Sequence, residues 1–457
     1  MCKIKPKALL SIIISKIIIK ASKSIFNGGT NFPGRIALKI DKNILKTIAR
    51  DYKVILITGT NGKTTTTNML YNIISESIKA DNSGKVITNS TGANMLPGII
   101  SCFVENYSFL NNKKNKYAII EVDEANLKYI TEYISPVTIS ITNLFRDQLD
   151  RYGEVYTTLK KIMEGVEKSP SSLLVLNGDE SLLGDLDVPN KKVYYGFSDS
   201  LDNSKIIDIN ADAKFCKICK TPYSYNFITY NHLGDFYCEN CGYKRPELSY
   251  AVNSFNDINQ LGSTVEINNT EFMINQPGVY NIYNALCAYS IAKTLDIEDK
   301  YISSALKDQK SSFGRQESIN INNKEVKIIL VKNPAGFDQA INTIALDNRQ
   351  INLAFLLNDN YADGRDVSWI WDVKFENLAA LNIDKVLVSG IRLYDMAVRL
   401  KISGIEPNKF LISEDYDKLL SNTIECESPY VYVLATYTAM IDFRKFLHSK
   451  GYIKKLW

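Results

Sequence analysis

Histidine is almost missing from this chain: 457 residues contain only His232 and His448. Activation of a hydroxyl or thiol nucleophile usually needs a neighbouring base, most often an imidazole, so few such centres can exist here. An excess of one charge is also missing. The 54 basic and 50 acidic residues leave +4, too little for the basic face of a nucleic-acid binder. A disulfide framework is absent as well. Four of the eight cysteines crowd into one stretch, and Cys2, Cys102, Cys287 and Cys426 are scattered. That distribution reads as one metal site plus free thiols in a reducing compartment. No internal repeat or low-complexity tract occurs.

Long apolar runs are missing too. Lys3, Lys5 and Lys7 precede the stretch Ala8–Ser15, which superficially resembles a signal peptide. Lys16 and Lys20 interrupt the apolar residues beyond it, and no small-x-small cleavage site is present there. The uninterrupted stretch falls far short of the about 20 residues a spanning helix needs. The preferred reading is an amphipathic helix packed on the protein, in a cytoplasmic chain. Peripheral attachment to the inner membrane surface is the alternative.

The chain does contain a repeated alternation of buried strands and helices. Lys53–Thr58 is a short apolar run of the kind buried in parallel sheets. It leads into a glycine-containing turn and a helical stretch from Lys63 to about Ile78. Further strand-like runs occur at Tyr117–Val122, Val137–Thr142 and Leu173–Asn177, and helices around Asn281–Lys293 and Lys300–Lys307. This predicts an α/β fold with a doubly wound parallel sheet. The Cys-, Tyr- and Asn-rich segment at about 212–250 reads as an insertion. After Lys310–Gly314 the alternation restarts, with strands at Val326–Val331, Ile351–Leu357, Lys385–Ser389 and Tyr430–Ala435. The expected divisions are therefore a helical segment 1–48, a central domain 49–312 carrying the insertion, and a Rossmann-like domain 313–457.

Gly59-Thr60-Asn61-Gly62-Lys63-Thr64-Thr65 lies between a strand and a helix. Backbone N–H groups of such a loop cradle phosphates, the lysine reaches the terminal phosphates, and the first threonine hydroxyl holds Mg²⁺. The position where a general P-loop has its first glycine is Ile57. The loop reads as an ATP site. Cys216-x2-Cys219-x18-Cys238-x2-Cys241 has the spacing of a tetrahedral four-thiolate Zn²⁺ ribbon. Four thiolates leave no open position, so the metal would be structural. A third segment, Leu357–Asp372, comes after a buried strand and holds Asp359, Asp363 and Asp366, with Trp369 and Trp371 expected in the core. From the residues alone, any of the three aspartates could handle charge at this strand end.

Gly-Thr-Asn-Gly-Lys-Thr-Thr-Thr resembles the ATP signature of the Mur ligases, the amide-forming enzymes of peptidoglycan synthesis. Other segments fall in that family's order: Glu121-Val122-Asp123-Glu124, Thr142-Asn143 with Asp147-Gln148-Leu149-Asp150, Asn177-Gly178-Asp179, Asn281-Ile282-Tyr283-Asn284-Ala285 and Phe313-Gly314-Arg315-Gln316-Glu317. Gln148 and Tyr280 stand where the family usually has histidine. The resemblance implies that an acidic residue of 121–124, with Glu121 the candidate, binds Mg²⁺, that Asn281 and Asn284 serve the adenine side, and that Arg315 opens the C-terminal domain. The ribbon and the Asp-Asn-x-Ala-Asp-Gly-Arg-Asp loop are similar to the MurT branch of the family, as is Lys332-Asn333-Pro334-Ala335-Gly336. The start of the P-loop at Gly59 also leaves no room for the about 100-residue domain with which peptide-adding Mur ligases hold a uridine nucleotide.

By that resemblance the activity is a carbon–nitrogen ligation. ATP activates the D-glutamate α-carboxylate of lipid II at the inner membrane surface as an acyl phosphate, and ammonia forms D-isoglutamine. Asp363 would be the catalytic aspartate. A class-I glutaminase needs a cysteine on a Gly-x-Cys-x-Gly elbow with a histidine, and none of the scattered cysteines has one. The ammonia source is therefore expected to be a separate glutaminase subunit, GatD, in a heterodimer. The rivals are a folate-type polyglutamate ligase and a non-catalytic, nucleotide-dependent ribbon adaptor for nucleic acid.

Overall fold

The computed structural model describes residues 5–25, 31–81, 84–89, 93–109, 115–147, 155–200, 205, 211–309 and 314–454. Cys2, the Gln148-Leu149-Asp150 end of one motif and Phe313 of another lie outside the described residues. The chain opens with helices α1 (Pro6–Ile25), α2 (Asn31–Ile40) and α3 (Ile44–Ile48). It then runs through β1 (Lys53–Thr58), α4 (Lys63–Asp81), β2 (Gly84–Thr88), α5 (Leu96–Asn106), β3 (Asn115–Glu121), α6 (Leu127–Thr131) and β4 (Thr138–Ile141). Next come α7 (Val155–Val166), β5 (Leu173–Asn177), β6 (Lys192–Phe197), the hairpin β7 (Ser224–Tyr230) and β8 (Leu233–Tyr237), and strands β9 (Tyr250–Ile258), β10 (Ser263–Ile267) and β11 (Thr270–Ile274). Helices α8 (Val279–Thr294) and α9 (Asp299–Lys307) close this part.

Nine of these strands form one sheet in the order β11-β10-β9-β6-β5-β4-β1-β3-β2. Successive side chains of a strand point to opposite faces, and β1 shows the result. Val54 and Leu56 enter one core with α1–α3 and α5–α7. Ile55 and Ile57 enter a second core with α4, α8 and α9. A strand covered on both sides must be apolar throughout, hence Lys-Val-Ile-Leu-Ile-Thr. The sheet is not wholly parallel, however. From β2 through β6 to β9 the pairing is parallel, but β10 and β11 add antiparallel strands at one edge. The strands expected from sequence include none of β9–β11. The readable signal is Asn268-Asn269, both at positive φ, a pair suited to the tight turn of a two-residue hairpin.

The C-terminal part carries β12 (Arg315–Ile321), β13 (Lys324–Leu330), α10 (Pro334–Ile344), β14 (Ile351–Leu356), β15 (Ile383–Ser389), α11 (Leu393–Ile402), β16 (Phe410–Ile412), α12 (Tyr416–Glu425), β17 (Tyr430–Ala435) and α13 (Tyr437–Ser449). Its six-stranded sheet has the order β12-β13-β17-β14-β15-β16, antiparallel only between β12 and β13. Again an Asn-Asn pair at positive φ, Asn322-Asn323, turns a hairpin; it joins the expected strand at Val326–Val331, which is β13, to β12, which is not among the expected strands. Cores cover both faces of this sheet.

The tryptophan expectation needs correction. Trp369 is half-buried, and Trp371 is 50% exposed, beneath the Arg399 guanidinium. Residues Ser368–Asp372 form a 3₁₀ turn. Its three-residue period turns Val367, Ile370 and Val373 toward the core and carries Trp371 outward.

Candidate active site

The P-loop sits at the carboxyl end of β1, where the sheet's strand order reverses and α/β proteins open a crevice. Gly59 and Gly62 have φ of +119° and +85°, a region that side chains disfavour. Space excludes a side chain as well. A Cβ on Gly59 would lie 2.4 Å from Thr142 Oγ1, and one on Gly62 would lie 2.1 Å from Asn284 Oδ1. Thr142 and Asn143, just beyond β4, brace the loop. Asn143 Oδ1 accepts the Asn61 N–H at 2.9 Å, and the Asn61 carbonyl accepts the Thr142 hydroxyl at 2.7 Å.

Two carboxylates meet the start of α4. Lys63 Nζ lies 2.7 Å from Glu124 Oε1 and also donates to the Thr60 carbonyl. Thr64 Oγ1 donates to Glu121 Oε2 at 2.7 Å. Glu121 is held from the other side by Asn94, and its backbone N–H by Asn89 Oδ1. Burial opposes the Lys63 ammonium, but Glu124, Glu121 and Asp123 outweigh it and hold its pKa above the usual lysine value. Burial raises the Glu124 carboxyl even with Lys63 beside it. A buried charge in excess is costly, so each needs the other until an anion replaces Glu124.

The loop opens into a cleft between the domains of the two sheets. Asn61, Gly62, Thr65, Asn281, Asn284 and Arg315 all line it, which brings together most of the expected nucleotide residues. Asn284 accepts from Thr66 and donates to Asn281 Oδ1, tying α8 to α4. Tyr280, in the place of a histidine, accepts from Gln316 Nε2 at 2.6 Å. The domains are latched across the cleft by Asn61 with Asn333, by Lys332 with Asp147 at 3.0 Å, and by Arg146 with Asp372 at 3.6 Å. Sequence reasoning gives Asn333 and Tyr230 no role of their own, and Glu124 only a share in the acidic run 121–124 considered for Mg²⁺. For Asn333 the signal is the adjoining Pro334, since Asn then Pro marks a helix start.

Asp363 is not in this cleft lining. It is buried, its Oδ1 accepts the Thr438 N–H at 2.7 Å, and its other oxygen accepts the Thr438 hydroxyl. The carboxylate thus caps the first turn of α13 from a neighbouring loop. Burial raises its pKa, against the Thr438 donors. The three aspartates do not form one cluster. Asp359 faces Arg392 at 3.5 Å, and Asp366 is exposed and caps the Ser368 N–H.

The four ribbon cysteines come together as two similar knuckles. Lys220 N donates to the Cys216 carbonyl and Gly242 N to the Cys238 carbonyl, each donor at positive φ. All four sulfur atoms lie within 4.8 Å of one another, with Cys216–Cys241 at 3.6 Å and Cys219–Cys238 at 3.4 Å. Metal–sulfur bonds of about 2.3 Å in a tetrahedron require similar sulfur separations, so the donor set fits a closed four-thiolate site. The other described cysteines are poor nucleophiles. Burial pushes Cys102 up to about 12 and Cys287 and Cys426 up to about 11.

The ribbon is anchored to the nucleotide domain. His232, in the β7–β8 turn, meets Glu180 at 2.8 Å with both side chains fully buried. Arg245 reaches Asp179, which also accepts the Tyr283 hydroxyl of α8. Tyr230 of β7 stacks on Phe145 and lines the cleft.

Comparison with known proteins agrees with this arrangement. The Mur ligase middle domain family matches residues 57–242, and the MurT ligase C-terminal family matches residues 330–440. A Streptococcus pneumoniae protein, lipid II isoglutaminyl synthase (glutamine-hydrolyzing) subunit MurT, is 38% identical over 93% of this chain and 94% of its own length. The subunit of the same name from Staphylococcus aureus is 32% identical over 94% and 95%. Among solved structures, a pseudomurein peptide ligase type C from Methanothermus fervidus shares the fold with a TM-score of 0.64, at 20% identity over 91% of this chain and 84% of its own. A Thermotoga maritima folylpolyglutamate synthase superposes with a TM-score of 0.58, at 15% identity over 97% of this chain and 99% of its own. That second likeness is one of fold alone. The end-to-end sequence kinship lies elsewhere: the chain belongs to the MurT branch of the Mur ligase family.

Proposed function

We propose that this protein is the synthetase subunit of a lipid II isoglutaminyl synthase and amidates the D-glutamate α-carboxylate of lipid II in peptidoglycan synthesis. The observation that carries this is the 38% identity over 93% of the chain to a subunit of that name. The folate-type alternative has only the fold in its favour. The net charge of +4 for the whole chain speaks against the nucleic-acid adaptor. We assign the protein to the cytoplasm, where ATP is made and used.

ATP enters the cleft beneath Asn281, Asn284 and Arg315, with its phosphates on the N–H groups of 59–65. Lys63 leaves Glu124 for the terminal phosphates. Thr64 and Glu121, already paired, would hold Mg²⁺, which offsets phosphate charge when bound. A carboxylate oxygen of the substrate attacks the γ-phosphorus as the bond to the β-γ bridging oxygen breaks, giving acyl phosphate and ADP. Ammonia then attacks the acyl carbon, phosphate leaves, and a proton passes from the nitrogen to a base. Positioned positive charge supplies most of the rate in such a transfer. Asp363 is the proposed base or orienting group for ammonia. Its capping bond to Thr438 holds the carboxylate in one place. The ribbon is proposed to hold Zn²⁺ at Cys216, Cys219, Cys238 and Cys241 as a structural ion. The proposed domains are 1–48, 49–312 and 313–457.

Ammonia is proposed to come from a partner, the glutaminase GatD, because no cysteine outside the ribbon sits on a Gly-x-Cys-x-Gly elbow and the thiols of Cys102, Cys287 and Cys426 all have a raised pKa. The purified chain should amidate lipid II with ATP and concentrated ammonium, but not with glutamine. Added glutaminase subunit should restore glutamine use. Amidation from glutamine by the chain alone would overturn the division of labour. No amidation from ammonium would overturn the activity itself.

A further inference from the structure

Helix α1 is built the wrong way round for a helix that meets only water. The residues it turns toward the protein are small or hydroxylated to an unusual degree: Ala8, Ser11, Ser15 and, among branched side chains, Ile12 and Ile19. Ser11 Oγ donates to the Ala37 carbonyl at 3.0 Å and Ser15 Oγ to the Pro33 carbonyl at 3.3 Å, so these hydroxyls seat α1 on α2. The outer face carries Leu9, Leu10, Ile13 and Ile17, which are 38%, 52%, 44% and 61% exposed. At 100° per residue, Leu10, Ile13 and Ile17 fall within one narrow arc. Lys20 borders this arc on one side and Lys7 on the other, while Lys16, farther round, donates to the Glu105 carbonyl of α5. Scattered exposed aliphatics are ordinary on soluble proteins, whereas a contiguous stripe on one helix marks a contact surface.

The charge around this stripe selects the partner. The first 40 residues contain eight Lys and Arg and no Asp or Glu. With +4 for the whole chain, the other 417 residues are net −4. All of the chain's positive excess therefore lies in the segment that presents the stripe. An aliphatic stripe bordered by lysines matches a bilayer with anionic headgroups: the aliphatics enter the acyl boundary while lysine stems reach back to the phosphates. None of the helices among the described residues is long and apolar enough to cross a membrane, so the helix would lie in the surface. A glutaminase is not the expected occupant, since ammonia is needed at the C-terminal domain. There α11, tied to the Asp363 loop through the Ile391 N–H and Asn358 Oδ1, has exposed apolar side chains of its own.

We propose that the outer face of α1 docks this protein on an anionic lipid bilayer, through Leu9, Leu10, Ile13 and Ile17 with the flanking lysines. Part of the support, a lipid-borne substrate, rests on the proposed function. The test uses no substrate, so the two ideas fail separately.

The full chain is sedimented with phosphatidylcholine vesicles and with vesicles of phosphatidylcholine and phosphatidylglycerol in equal parts. Wild type should pellet with the mixed vesicles and far less with the neutral ones, and binding should weaken as salt is raised. Leu10→Ser/Ile13→Ser/Ile17→Ser should bind about tenfold or more weakly while keeping its far-ultraviolet spectrum and ATP binding. As a second readout, Ile17→Trp should show a blue-shifted emission only when mixed vesicles are added. No pelleting by wild type, equal pelleting by the triple variant, or an unshifted Trp emission would overturn the proposal. So would a lipid-free dimer that the triple variant abolishes, or loss of vesicle binding when the glutaminase is bound. Either would mean that protein covers this face.

Discussion

Asn61 and Asn333, 272 residues apart, exchange reciprocal amide hydrogen bonds of 3.3 and 3.0 Å between the P-loop and the start of α10. Asn333 Oδ1 also caps α10 by accepting the Gly336 N–H at 2.8 Å. One side chain therefore ends a helix and closes the cleft. Asn333→Asp keeps the capping oxygen and removes the donor to Asn61. It should fold normally and raise the KM for ATP about three- to tenfold, the worth of about one hydrogen bond. Asn333→Ala should add a loss of about 1 kcal/mol in stability from the missing cap. Unchanged KM in both variants would show that the pair does not hold the domains closed.

Lys63 and Glu124 are buried together, so removing one partner strands the other. Lys63→Ala should lose ATP turnover and also melt earlier, because an unpaired buried carboxylate costs about 3–5 kcal/mol. Lys63→Ala/Glu124→Gln should recover most of the melting temperature but none of the turnover. Turnover returning along with stability would deny Lys63 a part in the chemistry.

Asp363 has both a capping and a proposed catalytic role, and Asn separates them. Asp363→Asn retains an oxygen for the Thr438 N–H, so stability and nucleotide affinity should stay close to wild type. Amide formation from ammonium should fall at least about a hundredfold, as for loss of a general base. Normal amidation would shift attention to Asp359 or Asp366.

The cysteine site makes a prediction that metal analysis decides. The purified chain should carry about one zinc, and Cys219→Ser should lower the melting temperature rather than slow chemistry selectively. Metal-free protein with four freely reactive ribbon thiols would remove the site.

His232 gives the ribbon's anchor a pH dependence. Burial works to lower its pKa, but Glu180 and Asp212 outweigh this and hold it above 6.5. A raised folded-state pKa means that the folded protein binds the proton more tightly. The stabilisation is complete below the unfolded value and is lost as pH rises through the folded one. The melting temperature of wild type should therefore drop more steeply above pH 6.5 than that of His232→Gln. Parallel melting profiles for the two proteins would show that the pair is not charged.

Local pattern was enough for the parts built from contiguous residues. The strand Lys53–Thr58, the Gly59–Thr65 turn and the helix starting at Lys63 are one continuous segment, each dictated by its own residues. The paired Cys-x-x-Cys knuckles likewise each hold two ligands within four residues. Strand β9 escapes such a reading because Asn253, Ser254, Asn256 and Asp257 dilute its apolar period, whereas in β10 and β11 buried Val265, Ile267, Phe272 and Ile274 alternate with more exposed neighbours and are legible. Other relationships could come only from tertiary structure, because they join distant segments. Glu124 lies 61 residues from Lys63, Asn333 lies across a domain boundary from Asn61, and Asp363 caps a helix 75 residues later. Sequence showed Leu10, Ile13 and Ile17 to be apolar. That they face outward was decided by the packing of the opposite side of α1, where Ala8, Ile12 and Ile19 enter the core and the Ser11 and Ser15 hydroxyls donate to carbonyls of α2.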